Sequence, residues 1–134
     1  MFTRFRSARP SNDLGALRSF YGDGLGLSVQ AEWVDHDGFD GLVLGPPAGA
    51  AQGHWQIEFV AERDLHAPRA PTDEHLLVLF VADAGAVREA IARMAAVGVA
   101  PTPPNNPYWA RRGAHFADPD GYGVVVCTVE ESQP

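Results

Sequence analysis

The chain has 134 residues, of which 46% are hydrophobic and 20% charged, a composition that predicts a soluble globular protein with one domain over residues 1–134. A formal net charge of −7 and a pI near 5.0 argue against a nucleic-acid partner, because phosphate binding requires clustered cations. Cys127 is the only cysteine, which excludes an internal disulfide and favours a reducing, cytoplasmic location. No apolar run reaches the length of a membrane span, so we expect no membrane partner.

The first half of the chain predicts a strand, a helix, a hairpin and a closing strand. In chain order the elements are a strand at 2–8, a helix ending near 23, a hairpin of 27–35 and 39–44, a loop at 45–53 and a strand at 55–61. Ser11-Asn12-Asp13 supplies side chains that can cap the helix. Asp37-Gly38 is a two-residue hairpin turn.

The second half repeats this order. After a linker at 63–74, we predict a strand at 76–81, a helix at 84–97, and a strand, turn and strand between 106 and 129. Asp118-Pro119-Asp120-Gly121 is the turn, because Pro119 fixes φ and Gly121 tolerates a positive φ.

Matching corners indicate an internal duplication. Asp13 and Asp83 precede the two helices, 83 − 13 = 70 residues apart. Gly26 and Gly98 follow them at a similar spacing, 98 − 26 = 72. Neither half can cover its own sheet, so we predict two packed modules, about 1–62 and 75–130.

The C-terminal motifs resemble those of a known superfamily. Asn106-Pro107-Tyr108-Trp109, then Gly113, Phe116 and Asp118-Pro119-Asp120-Gly121-Tyr122 before an apolar strand are similar to the end of a vicinal-oxygen-chelate protein. That superfamily includes glyoxalase I, the extradiol dioxygenases and the bleomycin-resistance proteins. The resemblance implies an α+β fold of two tandem βαβββ modules, whose eight mostly antiparallel strands curve around a cleft. With the hairpin, these motifs also resemble a narrower branch of small bacterial proteins.

The resemblance also says where a metal would bind. In metal-dependent members, the first and last strands of each module supply one ligand each, and these positions correspond to Arg6, Glu58, Leu76 and Val125. Only Glu58 could bind a metal, and Arg6 would place a fixed positive charge beside it. His75 is one residue from a ligand position, so it faces the opposite side of the strand unless a β-bulge intervenes. We therefore expect no metal cofactor; a divalent metal is the alternative.

Strand alternation places Arg6 and Glu58 on the same face, inside the cleft that the resemblance implies. We expect them to be neighbours. They form either a structural ion pair or a ligand site in which Arg6 holds a carboxylate or Glu58 an ammonium group. By the same alternation, Phe80 of the second module also faces the implied cleft and is a further candidate for ligand binding.

Two further segments are candidates for ligand binding. In the hairpin, His36 lies between Asp35 and Asp40, which a two-residue turn would place opposite each other. Opposed carboxylates are unfavourable unless a cation or an arginine lies between them; the alternative is a solvated turn. Asn106, Tyr108 and Trp109 could line a cleft for a planar molecule, although Trp109 could equally be a core residue.

These observations favour a metal-free protein that binds a small organic molecule, as the bleomycin-resistance proteins do. The alternative is an enzyme, either a lyase or dioxygenase or a metal-free acid/base catalyst in which Glu58, with His36 or His115, supplies the base. A module without a ligand is a third possibility. By analogy with the superfamily, we also expect a homodimer.

Overall fold

The structure is a computed structural model that describes residues 1–49 and 54–129. The strands are β1 (Phe5–Pro10), β2 (Ser28–His36), β3 (Phe39–Gly45), β4 (Trp55–Glu62), β5 (Leu76–Val81), β6 (Gly113–Ala117) and β7 (Gly123–Thr128). The helices are α1 (Leu14–Leu17), continued by a π-helix (Arg18–Gly24), α2 (Ala84–Ala96) and a 3-10 helix (Pro107–Ala110). The chain divides into two compact units, Met1–Ala67 and Pro68–Pro134. None of the helices in the described segments is long and apolar enough to span a membrane.

The first unit is a four-stranded sheet with the order β1-β4-β3-β2. β1 is parallel to β4, and the other pairs are antiparallel. One face of the sheet packs against the helical segment. The ring of Tyr21, from the π-helix, lies 5.0 Å from the ring of Phe59 on β4, and Leu17, Tyr21 and Phe59 are fully buried. This apolar layer is the core of the unit.

The predicted helix begins at its predicted cap but changes form. Asp13 accepts a hydrogen bond from the N–H of Ala16 at 2.9 Å, which satisfies a helix N–H that has no intrahelical partner. From Arg18 the helix widens, and the N–H of Leu25 donates to the carbonyl of Phe20, five residues back. The apolar residues Leu14, Leu17, Phe20 and Tyr21 have the spacing of an α-helical face, so the sequence predicts an ordinary helix and does not indicate the local π-type widening.

Two strand details also differ from the prediction. β1 runs from Phe5 through Pro10 rather than over residues 2–8. Proline is tolerated there because β1 is an edge strand, where a missing N–H breaks no ladder. The predicted Asp37-Gly38 turn is confirmed: His36 pairs with Phe39, and both turn residues have positive φ. The predicted loop at 45–53 lies partly outside the described residues.

The second unit is a three-stranded sheet with the order β5-β7-β6. β5 is parallel to β7, and β6 is antiparallel to it. Met94 on α2 and Phe116 and Val124 on the sheet are completely buried. Asp83 caps α2 through the N–H of Ala86, and Gly98 ends the helix with a φ of +81°. The predicted turn before β7 is present, and the N–H of Gly121 donates to the carbonyl of Asp118 at 2.9 Å.

The α+β fold with a repeated strand–helix–strands order is confirmed, but the strand count is not. The described residues contain seven strands rather than eight, and the second module lacks one strand between α2 and β6. That segment carries Pro101, Pro103 and Pro104. By the order of the first sheet, the missing strand would be the edge strand beside β6, where the N–H of Thr102 still donates to the carbonyl of His115. Two residues further on, Pro104 has no N–H with which to continue such a ladder.

Candidate functional site

Arg6 and Glu58 form the ion pair that strand alternation predicted. Arg6 lies beside Gln56 in the parallel β1–β4 register, and its Nη1 donates to Glu58 Oε1 at 2.7 Å. The side chains are 43% and 19% exposed, respectively. The pair is therefore open to solvent on the arginine side, which places it between a surface salt bridge and a buried one.

A chain of amides extends this pair across the sheet. Nε and Nη2 of Arg6 both donate to Gln56 Oε1, at 2.9 and 2.6 Å. Nε2 of Gln56 donates to Gln30 Oε1 on β2 at 2.5 Å. Gln30 crosses over Gly45, where any Cβ would collide with its side-chain amide. The sheet surface that carries Arg6, Gln30, Gln56 and Glu58 is called the polar face below.

Trp33 supplies an aromatic surface on the same side of the sheet. Gly41, Val43 and Gly45 alternate along β3 and so face the same side of the sheet, and Val43 pairs with Glu58. This side is therefore the polar face. The indole of Trp33 covers Gly41 so closely that an added Cβ would overlap the ring. Trp33 is half-exposed. The polar face thus has an ionic end at Arg6 and an aromatic end at Trp33, about four residues or roughly 13 Å apart along the strands.

The opposed hairpin carboxylates are bridged by an arginine that sequence inspection had placed in the linker. Arg63 lies 3.5 Å from Asp35 (Nε to Oδ1) and 3.1 Å from Asp40 (Nη2 to Oδ1). Asp40 Oδ1 also accepts the backbone N–H of Asp35 at 2.8 Å. That hydrogen bond, and then the Arg63 guanidinium, hold the pKa of Asp40 below its ordinary value.

The pairing of β3 with β4 explains the position of Arg63. Because Phe39 pairs with Glu62, the residue after β4 must lie beside the hairpin turn. The N–H of Arg63 donates to the carbonyl of Gly38. Arg63 therefore balances the opposed carboxylates of Asp35 and Asp40, which do not need a ligand cation between them.

His36 does not join the Arg6–Glu58 pair. It lies opposite Phe39, whose other partner, Glu62, is four residues along β4 from Glu58, a separation of about 13 Å. Its side chain is 81% exposed and lies 3.8 Å from Asp37. The ligand-binding role of His36 stays a prediction, for a site separate from the Arg6–Glu58 pair.

Asn106, Tyr108 and Trp109 form one small cluster in the second unit. Asn106 Oδ1 caps the 3-10 helix by accepting the N–H of Tyr108 at 3.0 Å. The rings of Tyr108 and Trp109 pack edge to face, with centroids 5.0 Å apart, and both residues are half-buried. Arg111 lies over Tyr108, 5.6 Å from its ring centroid. The cluster is neither core nor fully exposed, so its predicted role in ligand binding remains a prediction.

His115 occupies a cleft of about 410 Å³ within the second unit. Its Nδ1 lies 3.0 Å from Thr102 Oγ1. Gly123 gives the imidazole room, since a Cβ there would lie 2.7 Å from His115 Nε2 and would also overlap Leu76. The sequence marks His115 only as a possible base. No other metal-ligating residue lies at a recognisable ligand spacing from it, and its hydroxyl partner Thr102 is 13 residues away in the chain.

The two positions of the second unit that correspond to metal ligands in the superfamily carry the apolar side chains of Leu76 and Val125. Val125 is completely buried, and Leu76 pairs with Gly123. Phe80, on the edge strand β5, pairs with Cys127 on β7 and is 53% exposed. Its large apolar side chain therefore faces solvent. Cys127 is buried, and burial raises the pKa of its thiol.

These residues do not fit the metal centre of the superfamily. Of its four ligand positions, only Glu58 carries a metal-ligating atom, and its carboxylate already accepts from Arg6. Leu76 and Val125 have no donor atoms, and Arg6 adds a positive charge. Residues 1–49 and 54–129 also contain no group of three or more His, Cys, Asp and Glu side chains that could hold a metal.

Comparison with solved structures places this fold in the vicinal-oxygen-chelate class. The chain is similar to the crystal structure of the YycE protein from Bacillus subtilis, with a TM-score of 0.82 and 27% identity over 97% of this chain and 92% of that one. Leishmania major glyoxalase I shares the fold, with a TM-score of 0.71, 20% identity, and coverage of 96% and 87%. TnmS3, an antibiotic binding protein from Streptomyces sp. CB03234, gives a TM-score of 0.65 and 26% identity over 97% and 98%.

The narrower family follows from the sequence. Residues 5–60 match the YycE-like N-terminal domain and residues 74–128 the YycE-like C-terminal domain. Protein YycE of Bacillus subtilis (strain 168) is 30% identical over 122 residues, which are 91% of this chain and 85% of that protein. The chain belongs to the YycE-like family.

Proposed function

We propose that this protein binds a small organic molecule on the polar face of its first sheet and does so without a metal. The observation that carries the proposal is the half-exposed guanidinium of Arg6. Three of its five N–H groups donate to Gln56 and Glu58. Among the described residues the other two have no acceptor, one on each terminal nitrogen, which is the spacing that grips a carboxylate through two parallel hydrogen bonds.

The neighbours of Arg6 favour a built binding surface over an incidental pair. Gln56 and Gln30 hold the arginine from one side, so its orientation is fixed before a ligand arrives. Gly41 and Gly45 make room for Trp33 and Gln30 above the sheet. A ligand with a carboxylate at one end and a flat apolar part at the other would match the polar face.

The comparisons support the proposal at the level of ligand class. TnmS3 is an antibiotic binding protein and is 26% identical to this chain, and another solved relative of 26% identity from Streptomyces sp. CB03234 is a glyoxalase/bleomycin resistance protein. The proposal of metal-free binding rests on the donor set, since one arginine-paired carboxylate cannot hold a divalent cation against water. A cytoplasmic location and a homodimer remain parts of this proposal.

A thermal-shift screen against flat, carboxylate-bearing metabolites and antibiotics tests the proposal. Each compound that stabilises the protein is then titrated against Arg6→Met and against Arg18→Met. Arg18 is a matched control because it forms a 2.7 Å ion pair with Glu32 in the same unit, with side chains 53% and 46% exposed. We expect affinity to fall at least about tenfold, or 1.4 kcal/mol, in Arg6→Met and to stay unchanged in Arg18→Met. Equal losses, or none, would contradict the site.

The second candidate function is acid/base catalysis, and His115 is the residue that favours it. Its imidazole is half-buried in a cleft, and the contact between Nδ1 and Thr102 orients the ring, so that Nε2 could exchange a proton with a bound molecule. Glu58 suits that role less well, because its carboxylate already accepts a hydrogen bond from Arg6. Turnover of a bound compound, followed by NMR and abolished by His115→Gln but not by Arg6→Met, would support the enzyme over the binding protein.

A further inference from the structure

A second cleft in the C-terminal unit concentrates positive charge in an acidic protein. It lies beside the start of α2, has a volume of about 600 Å³, and is lined by Arg88, Arg111 and Arg112 together with Ala84 and Thr128. These are three of ten cationic residues in a chain of net charge −7. No aspartate or glutamate is among the residues that line it within the described ranges. We call it the arginine cleft.

The backbone adds to this charge. β5 leads through Asp83 into α2 and runs parallel to β7, so the start of the helix lies at the carboxyl edge of the parallel pair, where α/β proteins often bind anions. Asp83 takes the N–H of Ala86. The N–H groups of Ala84 and Gly85 have no acceptor in the described part of the chain, and they carry the positive end of a 13-residue helix.

The arginine side chains are partly positioned already. Arg111 lies over the ring of Tyr108, a contact that limits its freedom. Nη2 of Arg88 lies 3.6 Å from the point that a Cβ on Gly85 would occupy, so it stays close to the first helical turn. Asp83 Oδ1 lies 3.1 Å from that same point, but it is committed to capping. Arg88 and Arg111 therefore both line the cleft in restricted positions.

We propose that the arginine cleft binds the phosphate group of a small phosphorylated molecule. Guanidinium groups match tetrahedral oxyanions through paired N–H donors, and those of Arg88 and Arg111 beside a helix start suit a dianion better than a single carboxylate. The net charge of −7 would repel a polyanion such as nucleic acid, whereas a small phosphate ester can enter the cleft. The cleft uses no residue of the polar face, so this proposal is independent of the proposed function.

Titration with inorganic phosphate tests the proposal. Binding is measured by calorimetry or by NMR shifts of the arginine side chains, with sodium chloride at matched ionic strength as the reference. The test variant is Arg88→Gln with Arg111→Gln, which removes two positive charges, and the control is Arg93→Gln, which removes one from an exposed site later in α2. We expect phosphate affinity to fall at least about tenfold in the double variant and to stay within about twofold in the control.

Either of two outcomes would overturn the proposal. One is wild-type protein that responds to phosphate no more than to chloride. The other is a double variant that binds phosphate as wild type does, which would place the anion elsewhere. If the double variant does not fold by circular dichroism, Arg88→Gln and Arg111→Gln are measured singly, and at least one must lose affinity relative to Arg93→Gln.

Discussion

The coupling energy between Arg6 and Glu58 can be set against that of a second ion pair of equal length. Both the Arg6–Glu58 and Arg18–Glu32 pairs have a 2.7 Å contact, but Glu58 is 19% exposed whereas Glu32 is 46% exposed. Exposed pairs contribute about 0.2–1 kcal/mol, and removing one partner of a buried pair costs about 3–5 kcal/mol. We therefore expect about 1 kcal/mol for Arg6–Glu58 and less than about 0.5 kcal/mol for Arg18–Glu32.

A double-mutant cycle measures this difference. Arg6→Met, Glu58→Gln and the double variant are unfolded in urea beside the corresponding Arg18 and Glu32 variants. A coupling near 1 kcal/mol corresponds to about 3 °C in melting temperature for a chain of this size. A coupling above about 3 kcal/mol would mean that the pair is fully desolvated and shielded from ligands. A coupling no larger than that of the control would mean that the Gln56 and Glu58 contacts do not fix the arginine.

The remaining predictions concern protonation and close packing. The pKa of Asp40 is lowered in the folded protein. The ionised carboxylate should therefore stabilise the fold above its ordinary pKa, and this stabilisation should be lost as pH falls through the folded-state pKa. Asp40→Asn should accordingly make the melting temperature less sensitive to acid in thermal melts between pH 5 and 2. Buried Cys127 should resist a thiol reagent at pH 8 until urea unfolds the protein, because burial raises its thiol pKa. Gly113→Ala should destabilise the protein by about 1–3 kcal/mol, because the added Cβ would overlap the carbonyl of Val126. Gly15→Ala should be neutral or stabilising by up to about 1 kcal/mol, because its Cβ would lie 3.5 Å from Asp13 Oδ1, an ordinary contact, and alanine favours the helix. Both are checked by urea unfolding.

The features that the sequence predicted well depend on short-range rules. Asp13 and Asp83 cap their helices because a carboxylate before an apolar stripe satisfies free N–H groups. The hairpin turn at Asp37-Gly38 follows from backbone preference. The Arg6–Glu58 pair followed from strand alternation, which holds as long as neither strand contains a bulge.

The features that it missed depend on irregular backbone or on distant segments. β2 has a register shift between Val29 and Ala31, and the sequence gives no signal for the bulge that brings Gln30 to Gln56. Arg63 was assigned to a linker because its partners, Asp35 and Asp40, meet it only through the β3–β4 register. His115 meets Thr102 across a proline-rich loop that local pattern cannot place.

The central claim is that an organic ligand binds at Arg6 without a metal. Calorimetric titration of metal-stripped protein with a compound from the screen, first in EDTA and then after addition of zinc, nickel, iron(II) or manganese, tests it most directly. We expect the same affinity in every condition, no stoichiometric metal binding, and loss of ligand binding in Arg6→Met but not in Arg18→Met. Tight stoichiometric metal binding that Glu58→Gln abolishes, with ligand binding only in the presence of that metal, would contradict it.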